Sequence, residues 1–321
     1  MRKQSFIIVL ITLLAACDSS SDSPVAPPAG KGSISFDGAQ TRAPLSSVST
    51  TFGLHGTATN DISGTTVTVF NNQKVTYDSG NSVWTYSPLK YWEPRSDHQF
   101  AAYAPYNATR SLSFSSEGYP MITNFTVQSN VDNQESLLLS RSVERNIGGG
   151  GLDMSPVVFT FDPALTKINF EIKKDAAVLG TINLNALRIY KLKSAGNCVH
   201  NGSQIVWDTS AAPTNTFGYS TNFANAQPVT PEGITTWTNG ILMVPQQISG
   251  ISVYLSYTHR PSNVTYSYTK DNIALPGTDW QPGKQITYVL TLKPENNIEI
   301  GEPIVEPWIE SSTSGGTIII N

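Results

Sequence analysis

Only 14 % of the 321 residues are charged, and 20 Lys and Arg stand against 24 Asp and Glu, a formal net charge of −4. No basic cluster breaks this balance, so nucleic acid is excluded as the expected partner. With 39 % apolar and 10 % aromatic residues and abundant Thr, Ser, Asn, Tyr and Val, the composition suits an exported β protein of two ordinary domains rather than a helical one.

Arg2 and Lys3 precede an apolar run over residues 6–14. The run is far shorter than the ~20 residues of a membrane-spanning helix, so residues 1–16 read as a signal peptide. Leu14-Ala15-Ala16-Cys17 follows at once, the pattern of a bacterial lipobox, in which export cleaves between Ala16 and Cys17 and the cysteine thiol carries the lipid. The chain that remains has lost two basic residues and is more acidic. Cys198 is the only other cysteine. With Cys17 lipidated no disulfide framework exists, and Cys198 is expected to be a small buried residue, a thiol joining two chains being the alternative.

Residues 17–33 are rich in Ser, Pro, Gly and Ala and read as a flexible tether. Ile34 and Phe36 then alternate with Ser35, which suits a short strand, and Arg42-Ala43 follows a small, polar stretch open to a protease. Pro44 stands two residues past the bond and is compatible with cleavage there. Period-2 runs continue along the chain. Val67, Val69 and Val83 lie in short runs expected to break at Asn71-Asn72 and at Ser79-Gly80-Asn81. Ile168, Phe170 and Ile172 alternate with polar residues, as do Ile251, Val253, Leu255 and Tyr257, and Ile286, Tyr288, Leu290 and Leu292. Residues 133–142 fit either a short helix or a strand. Gly148 to Gly151 cannot hold a strand interior, and place an expected boundary between two antiparallel β-sandwiches over 34–150 and 155–321, a long hairpin loop being the alternative. The chain ends on Ile318, Ile319 and Ile320 behind a Ser, Thr and Gly run, an apolar β-branched segment that calls for a pairing partner.

No catalytic or metal pattern appears. His55, His98, His200 and His259 show no ligand spacing, and neither a nucleophile elbow nor a phosphate loop is present. The chain is expected to be neither an enzyme nor a binder of metal or cofactor. Tyr86, Tyr91, Trp92, Tyr103 and Tyr106 crowd one stretch, where cross-strand packing outweighs the alternative of stacking on sugars.

Several stretches in order resemble the fimbrillin-like proteins, the type V pilins of Gram-negative anaerobes. They are WTYSPLKYWEPRSDHQFAAYAPYN from Trp84, VVFTFDPALTKINFEIK from Val157, ILMVPQQISGISVYLSY from Ile241, WQPGKQITYVLTL from Trp280 and EPWI from Glu306, together with the lipobox and Thr41-Arg42-Ala43. NQESLLLS from Asn133 departs from the family's more usual aspartate before the apolar pair. The resemblance implies an all-β fold of two antiparallel β-sandwich domains in tandem, of transthyretin-like Greek-key type. It further implies an outer-membrane lipoprotein precursor whose first strand, with Ile34 and Phe36, is displaced after a trypsin-like cut between Arg42 and Ala43. A donor strand, with Ile318, Ile319 and Ile320 as candidates, then joins it to other fimbrial subunits in adhesion. A surface-anchored tip adhesin or glycan-binding lipoprotein that does not polymerise is the alternative, and the receptor stays open.

Overall fold

The computed structural model of the chain describes residues 32–41, 50–147, 153–212, 217–237 and 239–308. In chain order the strands are β1 (Phe36–Thr41), β2 (Thr51–Asn60), β3 (Thr66–Asp78), β4 (Val83–Thr85), β5 (Ser96–Ala104), β6 (Ser111–Phe114), β7 (Pro120–Thr126), β8 (Leu138–Ser140), β9 (Val143–Asn146), β10 (Val157–Pro163) and β11 (Thr166–Lys174). There follow β12 (Thr181–Leu192), β13 (Ala195–His200), β14 (Ile205–Asp208), β15 (Phe217–Val229), β16 (Ile234–Thr235), β17 (Ile241–Met243), β18 (Ser252–Arg260), β19 (Tyr266–Ala274), β20 (Lys284–Leu292), β21 (Ile298–Ile300) and β22 (Ile304–Pro307). Among the described residues the helical turns are two short 3-10 segments, so the protein is all-β.

The first sheet runs β1-β10-β8-β5-β2-β3-β4, with β9 beside β5. A second runs β14-β13-β7-β6, and a third β15-β12-β18-β19. The fourth runs β16-β11-β20-β21, with β17 beside β11 and β22 beside β20. Pairing is antiparallel except for β1 with β10 and β11 with β20.

Alternation sets the faces as the sequence implies. Ile168, Phe170 and Ile172 of β11, and Ile286, Tyr288, Leu290 and Leu292 of β20, are buried while the residues between them are not. The same holds for Val253, Leu255 and Tyr257 of β18. Of residues 133–142, the stretch that fitted either helix or strand, the last part pairs as β8, and a 3-10 turn at Val131–Asn133 precedes it.

In β3 the expected pattern fails. The strand does not break at Asn71-Asn72 but runs through it, with Asn72 at φ +48° and register shifts against β2. The irregularity resets the alternation, so Phe70 and Val75 are buried and Val67 is 48 % exposed. Asn72 Nδ2 donates to the Asn107 carbonyl at 3.1 Å, which supports the bend from outside the ladder. Close packing next door needs glycine: a Cβ on Gly53 would lie 2.3 Å from the Tyr103 ring.

The buried apolar side chains form two clusters. One lies within the first sheet and gathers Phe36, Phe52, Phe70, Trp92, Phe100 and Phe159 among others. The larger one joins the other three sheets and also takes Tyr103, Leu112, Ile122, Phe125 and Leu139 from the N-terminal half. β5 therefore serves both, with Phe100 and Ala102 in one cluster and Ala101 and Tyr103 in the other.

The boundary expected between 150 and 155 is not a boundary in the strand pairing. β10 lies past it, yet sits between β1 and β8 in the first sheet. The second sheet pairs β7 of the N-terminal half with β13 of the C-terminal half. The reason is chemical. Val157, Phe159 and Phe161 give β10 an apolar face that fits the aromatic first cluster, and only Ala164 and Leu165 separate it from β11.

Candidate functional site

The expected displaced segment occupies the edge of the first sheet. Ile34 and Phe36 are 1 % and 6 % exposed, while Ser35 between them faces out. The regular strand begins at Phe36, and residues 32–35 are held by single pairings instead. On one side the Ser35 carbonyl accepts from Val157 N–H at 2.9 Å, and β1 runs parallel to β10 from Phe36 opposite Val157 to Thr41 opposite Phe161. On the other side Ile34 N–H donates to the Lys90 carbonyl at 2.9 Å, and Trp92 N–H donates to the Gly32 carbonyl at 3.1 Å. The segment thus lies between the β10 edge and the stretch that follows β4.

Phe36 fills an aromatic box. Its ring centroid lies 6.0 Å from Phe52, 5.9 Å from Phe70, 5.5 Å from Tyr86 and 6.1 Å from Phe159. Most of these pairs are edge-on, the arrangement that ring quadrupoles favour. The Tyr86 hydroxyl donates to the Ile34 carbonyl at 2.7 Å. Burial raises its pKa above the ordinary tyrosine value. Sequence reasoning placed Tyr86 among packing aromatics and missed this contact, for which the sequence carries no signal.

β10, the other wall, is fastened at its far end. His200, fully buried on β13, lies 2.7 Å through Nε2 from Asp162 Oδ2. Gly202 N–H donates to its Nδ1 at 3.1 Å, so the Nε2 proton points at the carboxylate. Arg141 reaches the same oxygen at 3.5 Å.

Trp92 and Tyr103 are buried and Tyr86 packs half-buried against the first cluster, in the packing role expected of them, while Tyr91 and Tyr106 are half-buried outside both clusters. Cys198 is buried, which pushes its thiol pKa up to about 12. Among the described residues no group of three His, Cys, Asp or Glu side chains is placed to hold a metal ion. Ala16, Cys17, Arg42, Ala43, Ile318, Ile319 and Ile320 lie outside the described residues, although Arg42 follows β1 directly in sequence.

The sequence profile described as fimbrillin-like matches residues 41–308. The chain belongs to the fimbrillin-like family. No curated protein matches it. Among solved structures, this fimbrillin-like chain is similar to a fimbrial protein from Bacteroides vulgatus ATCC 8482, at 18 % identity and a TM-score of 0.61 over 86 % of this chain and 99 % of that one. It is also similar to a candidate cell adhesion protein from Bacteroides ovatus ATCC 8483, at 18 % identity and a TM-score of 0.55 over 88 % and 99 % of the two chains. A third, a candidate cell adhesion protein from Parabacteroides distasonis ATCC 8503, has 10 % identity and a TM-score of 0.53 over 88 % and 98 %. At these identities the likeness establishes the shared fold.

Proposed function

We propose that this fimbrillin-like chain is the precursor of a surface fimbrial subunit that joins its neighbours by strand exchange and serves adhesion through the fibre. The observation that carries the proposal is the position of residues 32–41. Their Ile34 and Phe36 side chains fill an apolar groove at a sheet edge, and Arg42 is the next residue after β1. In this reading residues 1–16 direct export, Cys17 holds the precursor in the outer membrane, and the stretch from Cys17 up to the paired Gly32 and Ser33 tethers it. A trypsin-like protease cuts between Arg42 and Ala43 and releases lipid, tether and strand together. One cut therefore does two things: it frees the subunit and opens the site through which it assembles.

Burying Ile34 and Phe36 stabilises the precursor by roughly 1.5–3 kcal/mol each. Their departure exposes the β10 edge and the faces of Phe52, Phe70 and Phe159. An apolar furrow beside an unpaired edge recruits another strand. Ile318, Ile319 and Ile320 are the donor candidates, because their residue type suits the furrow and a Ser, Thr and Gly run precedes them.

The test is an SDS gel of surface extract without boiling. Wild-type protein is expected to run as a ladder and Arg42→Ala as a lipid-anchored monomer. A normal ladder from Arg42→Ala refutes the activation step.

A further inference from the structure

The groove holds its strand by two kinds of contact that recognise different things. The aromatic box reads a side chain. Tyr86 and Lys90 read only main chain. Ile34 N–H donates to the Lys90 carbonyl at 2.9 Å, and the Ile34 carbonyl accepts from the Tyr86 hydroxyl at 2.7 Å. Lys90 N–H lies 3.3 Å from the same hydroxyl oxygen and donates to it. The hydroxyl proton has a second acceptor within reach, the Lys90 carbonyl at 3.4 Å, but the Ile34 carbonyl is much nearer. Lys90 thus orients the hydroxyl toward the strand. The ring cannot swing away, because it packs 5.5 Å from Phe36 and 5.4 Å from Phe70.

We infer that Tyr86 is a positioning residue whose hydroxyl clamps the main chain of whichever strand lies in the groove. It sets both how readily residues 32–41 leave and how firmly their replacement is held. The box then selects a strand that carries a large apolar side chain two residues beyond the clamped carbonyl. The partner fitted by this chemistry is an extended segment of a second copy with apolar residues at alternate positions. The incoming half of the inference rests on the strand-exchange reading above; the clamp on the resident strand does not.

Tyr86→Phe separates the two contacts, since it keeps the ring in the box and removes one hydrogen bond. In the uncut full chain, amide hydrogen exchange at Ile34, Trp92 and Val157 is expected to quicken on the order of fivefold, the effect of one net hydrogen bond. Amides of β12 should not change, which distinguishes a local clamp from a general loss of stability. Unchanged rates at the three amides, or an equal rise in β12, overturn the clamp. The incoming half is read on protein cut after Arg42 with trypsin, using a synthetic peptide of sequence GSISFDGAQT, residues 32–41. Tyr86→Phe should weaken this peptide and its Phe36→Leu version by the same factor, again on the order of fivefold. Phe36→Leu should by itself weaken binding to both proteins. Factors that differ between the two peptides by more than about threefold overturn main-chain recognition, an interaction energy beyond the scatter of independent sites. If the cut protein keeps residues 32–41 and takes up no peptide, strand exchange fails and the incoming half with it. The exchange rates of the uncut chain still decide the clamp.

Discussion

Phe36→Ala is the sharpest probe of whether the first segment is a separable part of the fold. The ring touches four aromatic neighbours at centroid distances of 5.5 to 6.1 Å and is almost fully buried. Truncating a buried Phe to Ala costs about 3–5 kcal/mol. Each 1.4 kcal/mol is a factor of ten, so the local opening equilibrium should shift by roughly two to three and a half orders of magnitude. The shift is capped by the free energy that holds the segment closed, since a fully open segment has no more protection to lose. Hydrogen exchange reads it at the Ile34 amide, bonded to Lys90, and at the Val157 amide, bonded to Ser35. Urea denaturation followed through the β12 amides should change little, because Ile182, Leu184 and Leu187 belong to the other buried cluster. Retained protection at Ile34 and Val157 refutes the reasoning. So does a loss of equal size in β12, which would make the segment one cooperative unit with the rest.

Deleting residues 317–321 is expected to leave cutting intact and to weaken the ladder on an unboiled SDS gel; a normal ladder moves the donor role elsewhere. Cys17→Ala should abolish metabolic fatty-acid labelling, and persistent label would reject the lipid assignment. Asp162→Asn removes the charge faced by His200 and Arg141 and should cost about 1.5–3 kcal/mol in urea denaturation, the worth of a hydrogen bond to a charged group. His98 is buried, which holds its pKa below the ordinary value against the opposing pull of the Ser96 carbonyl and, less strongly, of Glu93 and Asp97. Its Nε2 accepts from Glu93 N–H at 3.0 Å, so the fold prefers the neutral ring. The unfolded chain takes up the proton first as pH falls through about 6.5, so stability should drop from there downward. A urea midpoint measured at pH 7.5 and 5.5 checks this, and His98→Gln should shrink the difference.

Faces were legible where a strand keeps strict alternation. β11, β18 and β20 bury the side chains that period 2 assigns to the core. Where the backbone departs from the pleat, the same rule misleads. Asn72 at a positive φ and two register shifts against β2 put β3 out of phase, and Val67 turns to solvent while Phe70 and Val75 turn in. An Asn pair in sequence signals a turn or a bulge alike. What decides between them is the Asn107 carbonyl that Asn72 meets across the fold, a contact no local pattern contains.

Alternation names a face but never a neighbour, and the site depends on its neighbours. Ile34 and Phe36 could be picked out as inward residues beside an arginine expected to be cut. Their partner could not, because it is β10, a strand beyond the glycine run that pairs with β1 in parallel. Parallel pairing needs a long connection, so sequence proximity gives no hint of it. This placement also explains why a groove could outlast the loss of its occupant. β10 is paired with β8 on its other edge, with Phe161 opposite Ser140 and Pro163 opposite Leu138. Its C-terminal end is tied through Asp162 to His200 and Arg141, and after Ala164 and Leu165 the chain enters β11 of the larger core. Under the proposed displacement of β1, a wall held from three directions would keep its place rather than fold into the furrow. The furrow would then stay open for an incoming strand, with the aromatic box within it still apolar.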